Sequence, residues 1–104
     1  MKTKDGNARL ASLFLGRFCK RCDVQEGFLT EKTRNREQVM ARASFAKMGK
    51  ELYNISISGQ AKILGITHGS LLNAVNKLER HEMDTYNDYL EKYLSDNPDI
   101  FVLR

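Results

Sequence analysis

The sequence predicts an all-α protein of about six helices in a single domain. Apolar residues recur at the spacing of a helix face along most of the chain. The single proline, Pro98, leaves almost nothing to interrupt a helix. β-branched residues are sparse, and no segment shows the alternation of a strand. Because 104 residues suffice for one domain and are too few for two, residues 1–104 are assigned to one domain.

The first half of the chain predicts two helices and a short helical turn. A helix over about residues 7–20, capped by Asp5 or Asn7, carries this apolar stripe: Leu10, Leu13, Phe14, Arg17 and Phe18. A turn over about 24–29 and a polar, basic loop at 30–35 follow. A helix over 36–53 buries Ala41, Phe45, Met48 and Leu52 and leaves Arg42 and Lys50 off that stripe.

The second half predicts three more helices. Ser56 or Ser58 caps a short helix at about 59–64, and Gly65 fits a turn with an unusual backbone angle. Thr67 caps a helix over 68–81. Its predicted buried face is Leu71, Leu72, Val75 and Leu78, and its outer face is Gly69, Asn73, Asn76 and Lys77. A last helix, about 84–95, ends at Asn97-Pro98, and an apolar tail at 100–103 docks on the core or on another subunit.

Residues 56–80 have the pattern of a helix-turn-helix. Small Ala61 and Gly65 allow the two helices to cross closely, and the second helix then presents its first turn and outer face to a major groove. The groups offered there have the right chemistry for base edges and phosphates. They are Thr67, His68, Gly69, Ser70, Asn73 and Lys77. The alternative is a helical hairpin with a merely polar surface, in which His68 only packs or caps.

The run from Arg34 to Arg80 resembles the C-terminal DNA-binding domain of the bacterial replication initiator DnaA. That family has a basic loop, a long helix ending in Lys-Glu-Leu, a Ser-capped short helix, a Gly-containing turn and a recognition helix ending in Lys-Ile-Glu. Here the matching endings are Lys50-Glu51-Leu52 and Lys77-Leu78-Glu79. The resemblance covers roughly residues 10–82 and implies a Trp-repressor-like fold. The initiator's ATPase module is absent from this sequence, which has no phosphate-binding Gly-rich loop.

The resemblance also implies DNA contacts. A basic-loop arginine enters the minor groove in that family, and Arg34 occupies its place, with Lys32 and Arg36 nearby. The family's Asp-His-Thr-Thr, which reads major-groove bases, corresponds to residues 67–70, where the histidine and the last hydroxyl are kept. Thr and Gly replace the other two residues, so the sequence does not predict that the family's DNA site is recognised. Arg42, Lys50 and Lys77 are expected to bind phosphates.

Charge supports a polyanionic partner. Residues 1–78 hold 14 Lys/Arg against 6 Asp/Glu, whereas residues 79–104 hold 3 against 7. We expect no catalytic centre, cofactor, metal site or small-molecule substrate, because no nucleophile–base pair stands out and Cys19-Lys20-Arg21-Cys22 lacks a second ligand pair. The two cysteines are expected to be reduced packing residues. No signal or membrane segment is recognised, so we expect a cytoplasmic protein.

Two functions therefore remain. The first is binding of double-stranded DNA, in regulation of replication or transcription, by a recognition helix in the major groove and a basic loop in the minor groove. The second is a protein–protein interaction module, for example with replication machinery, that uses the same helices without touching DNA. Whether the protein acts as a monomer or a homodimer is left open.

Overall fold

The structure, a computed structural model, describes residues 3–31 and 35–95, with side chains from Arg9 onward. Within these ranges the chain forms six α-helices and no strand, which confirms the all-α prediction. The helices are α1 (Thr3–Cys22), α2 (Glu26–Thr30), α3 (Arg36–Tyr53), α4 (Ile57–Leu64), α5 (His68–His81) and α6 (Met83–Leu94). The predicted apolar tail and the stop at Pro98 lie outside the described residues.

Local capping explains where the helices begin. The predicted bounds of α3 and α5 agree with the structure. By contrast, α1 already begins at Thr3, so Asp5 and Asn7 lie inside the helix and do not cap it. Ser56 accepts a hydrogen bond from the Gly59 amide at 3.0 Å, and α4 consequently starts two residues earlier than predicted.

α3 is the central helix, because it packs against each of the other five described helices. Its Phe45 stacks on Phe14 of α1, with ring centroids 4.8 Å apart and planes 11° apart. Phe18 and Tyr93 meet this pair at steeper angles, with centroids 5.4 Å from Phe45 and from Phe14, respectively. All four side chains are fully buried, so aromatic packing joins α1, α3 and α6.

Hydrogen bonds from Arg21 and between two tyrosines hold α6 against the other helices. Arg21 donates from Nε to the Tyr93 carbonyl and from Nη2 to the Ser95 carbonyl, both at 2.6 Å. A cation there satisfies carbonyls that the helix end leaves without partners. The Tyr93 hydroxyl also lies 2.7 Å from that of Tyr53 on α3. These contacts fix α6 against the rest of the core.

Three predictions of burial were wrong. Leu13 and Leu72 are 37% and 39% exposed, since each lies at the edge of its helix's apolar stripe. Ala74 takes the place expected for Leu72 on the buried face of α5. Arg42, which was expected off the buried stripe of α3, is only 7% exposed.

Candidate nucleic-acid interface

A tight turn of three residues joins α4 to α5. Gly65 has a φ of 74°, a left-handed conformation that disfavours a side chain. The Ile66 amide donates to the Ala61 carbonyl at 3.1 Å, and the Gly65 amide donates to the Lys62 carbonyl at 3.2 Å, which is the pairing of a Schellman motif. A Cβ on Gly65 would meet nothing within 4 Å, so the expected close helix crossing does not involve Gly65. Its role is to turn the chain.

Thr67 caps α5, as predicted. Its Oγ1 accepts a hydrogen bond from the Ser70 amide at 3.1 Å and donates to the Ser70 hydroxyl at 2.9 Å. His68 is exposed. The Thr67 cap therefore orders the first turn of α5, and the side chains of His68 and Ser70 there are exposed to solvent.

The buried face of α5 is apolar and narrow. It consists of Leu71, Ala74, Val75 and Leu78, which are at most 8% exposed and hold α5 against α3 and α4. The opposite face carries exposed residues spaced three or four apart, which places them side by side along one surface. We call this surface the α5 ridge; its members are Gly69, Leu72, Asn73, Asn76 and Arg80.

On one side of the α5 ridge, a cavity of about 640 Å³ separates α5 from the first half of α3. Its apolar floor includes Val39 and Ile66, and its polar rim includes Ser70, Lys77 and Arg36. Lys77 is exposed and forms no ion pair with a described residue. This flank therefore brings together four of the predicted site residues: Arg36, Arg42, Ser70 and Lys77.

Two of the predicted DNA-binding arginines on this side already have partners. Arg36 forms an ion pair with Glu82, although its side chain is 74% exposed. Arg42 donates from Nη2 to the Glu31 carbonyl at 2.9 Å, and burial lowers the pKa of its guanidinium. Glu31 is the second residue of the basic loop at 30–35. The visible contact of Arg42 is thus structural: it anchors the chain where that loop begins.

On the other side of the α5 ridge lies a smaller cavity of about 410 Å³, lined in part by Lys47, Lys50, Leu72 and Asn76. Lys50 is exposed and forms no ion pair with a described residue. The predicted cations Lys50 and Lys77 therefore lie on opposite flanks of α5.

Lys47, on the same flank as Lys50, is held in a charge cluster. Its Nζ lies 2.8 Å from carboxylate oxygens of both Glu51 and Glu79. Burial acts to lower the pKa of Lys47, but the hydrogen bonds and charges of the two carboxylates outweigh it and raise that pKa. Tyr86 on α6 donates to Glu51 at 2.7 Å. This cluster fixes the angle of α5 against α3 and α6.

The basic loop can be placed only through its flanks, because Lys32 and Arg34 lie outside the described residues. On its N-terminal side, the backbone carbonyl of Glu31 accepts a hydrogen bond from Arg42. Asn35 caps α3 by accepting from the amides of Glu37 and Gln38 at 2.9 Å and 3.3 Å.

The sequence interpretation missed three members of the α5 ridge. Leu72 was assigned to the core, Asn76 was placed outward without a role, and Arg80 was not considered. The helical period does signal Asn76 and Arg80, which follow Asn73 at three and seven residues. Leu72 carries no such signal, because only the packing of neighbouring helices decides whether the edge of an apolar stripe is covered.

Cys19 and Cys22 are free thiols. Burial is the main factor raising the pKa of both, and that of Cys22 rises to about 12. Among the described residues, no three His, Cys, Asp or Glu side chains cluster in a way that would hold a metal ion. Within the same part of the chain, no helix is long and apolar enough to cross a membrane.

A scan against protein-family models and searches of curated proteins and of solved structures found no significant match to this chain.

Proposed function

We propose that this protein binds duplex DNA, with α4 and α5 acting as a helix-turn-helix and α5 entering the major groove. The observation that carries the proposal is the polar α5 ridge with an exposed lysine on each flank, Lys50 and Lys77, neither of which forms an ion pair with a described residue. A major groove presents base edges between two phosphate backbones, so a reader needs hydrogen-bonding groups in the middle and cations at both sides.

The dimensions of α5 suit this placement. A helix with its side chains is about 10–12 Å across, and the major groove is about 12 Å wide. Gly69 adds no side chain near the start of α5, where recognition helices approach the bases most closely. The Thr67 cap leaves the His68 and Ser70 side chains exposed at the same end.

Two further contacts are part of the proposal, and the first rests on the resemblance to the initiator's DNA-binding domain. Arg34, with Lys32 beside it, inserts into the neighbouring minor groove. Arg36 binds a phosphate once Glu82 releases it. Arg42 contributes by anchoring Glu31, and so the start of the loop, to α3. The role that follows from such binding is regulation of replication or transcription.

The test is a titration of fluorescently labelled duplex DNA by anisotropy at several salt concentrations. The variants are Lys50→Ala and Lys77→Ala, and the matched control is Lys20→Ala. Lys20 is an exposed lysine on α1, which packs against α2, α3, α4 and α6. Each test variant is expected to weaken binding to all sequences and to reduce the log–log salt slope by about 0.9, the value for one phosphate contact. The control is expected to change neither.

Two results would contradict the proposal. One is the absence of binding to any duplex at low salt, which would favour a protein partner instead. The other is an equal loss of affinity in the Lys20 control, which would indicate nonspecific attraction by net charge rather than a defined surface.

A further inference from the structure

We propose that the α5 ridge recognises consecutive A·T base pairs, through the carboxamides of Asn73 and Asn76 and the side chain of Leu72. This inference rests on the DNA binding proposed above and names the class of site that the same surface selects. It depends on which groups the ridge presents and on their spacing along α5.

The two asparagines match adenine. An Asn carboxamide bonds to adenine N6 and N7 in the major groove with both its acceptor and its donor. Asn73 and Asn76 are exposed, and neither carboxamide bonds to a described residue, so both are available to a base. Their three-residue spacing corresponds to about 4.5 Å along the helix. That distance is close to the rise of about 3.4 Å per base pair, so the two side chains reach neighbouring pairs.

Leu72 matches thymine. It is a large apolar side chain that remains 39% exposed on a surface otherwise polar, beside Asn76 and next to Asn73 in sequence. In the major groove, thymine differs from the other bases by its C5-methyl group, which takes apolar contacts. An A·T pair therefore offers the asparagine and the leucine one partner each, and a G·C pair offers no methyl group.

The cations of α5 lie away from these positions. Guanine is read most often by Arg or Lys. The ridge carries no cation from Gly69 through Asn76, and Arg80 comes only in the last turn of α5. Lys77 faces the cavity beside α3, where it suits a phosphate. The central part of the ridge thus lacks the side chains that favour G·C pairs.

The experiment begins with selection of bound duplexes from a random pool by the full chain, and an A·T-rich core is expected. Anisotropy then compares the selected duplex with two chemical variants of it. Uracil in place of thymine removes only the methyl group and is expected to weaken binding about fourfold, the effect of one buried methyl. Replacement of adenine by 7-deazaadenine removes N7 and is expected to weaken it about tenfold.

Protein variants identify the side chains responsible. Leu72→Ala is expected to bind the thymine and uracil duplexes equally. Asn73→Ala and Asn76→Ala are each expected to lose about tenfold on the selected duplex and to become less sensitive to 7-deazaadenine. Ser12→Ala, an exposed change on α1, is the control. Because all these positions are exposed, circular dichroism should show unchanged helix content.

The outcomes separate this inference from the proposed function. A selected core rich in G·C pairs, or a wild-type protein indifferent to both base modifications, overturns the A·T proposal while DNA binding stands. Failure to bind any duplex at low salt overturns both.

Discussion

Gly49 of α3 lies directly against the side chain of Gln60 of α4. A Cβ on residue 49 would come within 2.8 Å of Gln60 Cδ, closer than real Cβ contacts allow. Gln60 is fully buried, and its Nε2 donates to the Ala46 carbonyl at 2.8 Å. This bond links α3 to α4, so the glycine that makes room for Gln60 also sets how closely the two helices approach.

Gly49→Ala should therefore destabilise the protein. Alanine favours a helix over glycine by about 1 kcal/mol, but overpacking costs about 1–3 kcal/mol, and a shift of the Gln60 carboxamide would disturb its hydrogen bond to the Ala46 carbonyl. We expect a net loss of up to about 2 kcal/mol in the free energy of unfolding, measured with urea. Gly16→Ala is the matched control, because a Cβ there meets nothing within 4 Å. That control should be neutral or stabilising, and equal losses in both variants would contradict the steric explanation.

The hydrogen bond from Tyr86 to Glu51 predicts a pH-dependent effect of Tyr86→Phe. Burial acts to raise the pKa of Glu51, but the hydrogen bonds from Lys47 and Tyr86 outweigh it, so that pKa lies below its ordinary value of 4.5. A carboxylate with a depressed pKa stabilises the fold above its unfolded pKa and loses that contribution as the pH falls through the folded pKa.

Tyr86→Phe should thus lower stability by about 1 kcal/mol at pH 7, and the difference should shrink as the pH falls below the ordinary glutamate pKa of 4.5 and Glu51 takes up a proton. Urea unfolding between pH 3 and pH 7 measures it. Tyr89→Phe is the control, since the Tyr89 hydroxyl bonds to no described residue. A difference that stayed constant over this pH range would show that Glu51 is not the acceptor.

Burial of the two cysteines predicts slow thiol chemistry. The thiolate is the reactive form, and the pKa of Cys22 is raised to about 12, mainly by burial. At pH 8 we expect iodoacetamide to label Cys22 far more slowly in the native protein than in urea. Half-buried Cys19 should react before Cys22, and the Cys22→Ser variant measures the labelling rate of Cys19 alone. Fast labelling of Cys22 in the native state would indicate an activated thiol.

Much of the fold follows from the sequence because its signals are local. The bounds of α3 and α5, the Thr67 and Ser56 caps and the turn at Gly65 are each determined within a few residues. The Gly49–Gln60 contact is not, since it depends on where α4 crosses α3. A glycine inside a helix indicates only that something comes near, and it does not identify what does.

The candidate site was predictable only in part, for a related reason. The exposure of Asn73 and Lys77 follows from the helical period of α5 and is found in the structure. The burial of Arg42 and the pairing of Arg36 with Glu82 depend on groups that other segments supply. In the sequence, Arg36 and Arg42 therefore look equally available to DNA. In the structure, their different partners and burial make them differ in availability.

The Arg36–Glu82 ion pair predicts a substitution that should strengthen DNA binding. Glu82 lies beside the cavity that separates α3 from α5, and its carboxylate neutralises Arg36 and repels a phosphate there. Glu82→Gln removes this charge while keeping an oxygen to accept the hydrogen bond from Thr85. We expect affinity for duplex DNA at physiological salt to rise by about two- to fivefold, with a steeper salt dependence.

The matched control is Glu91→Gln, which removes the same charge from an exposed position on α6. The two glutamates are nine residues apart, about 13 Å along the helix, which exceeds a screening length of about 8 Å at physiological salt. The control should therefore change affinity little, and Arg36→Ala should lower it. If both Gln variants strengthened binding equally, net charge would explain the gain, and Arg36 would have no specific contact with DNA.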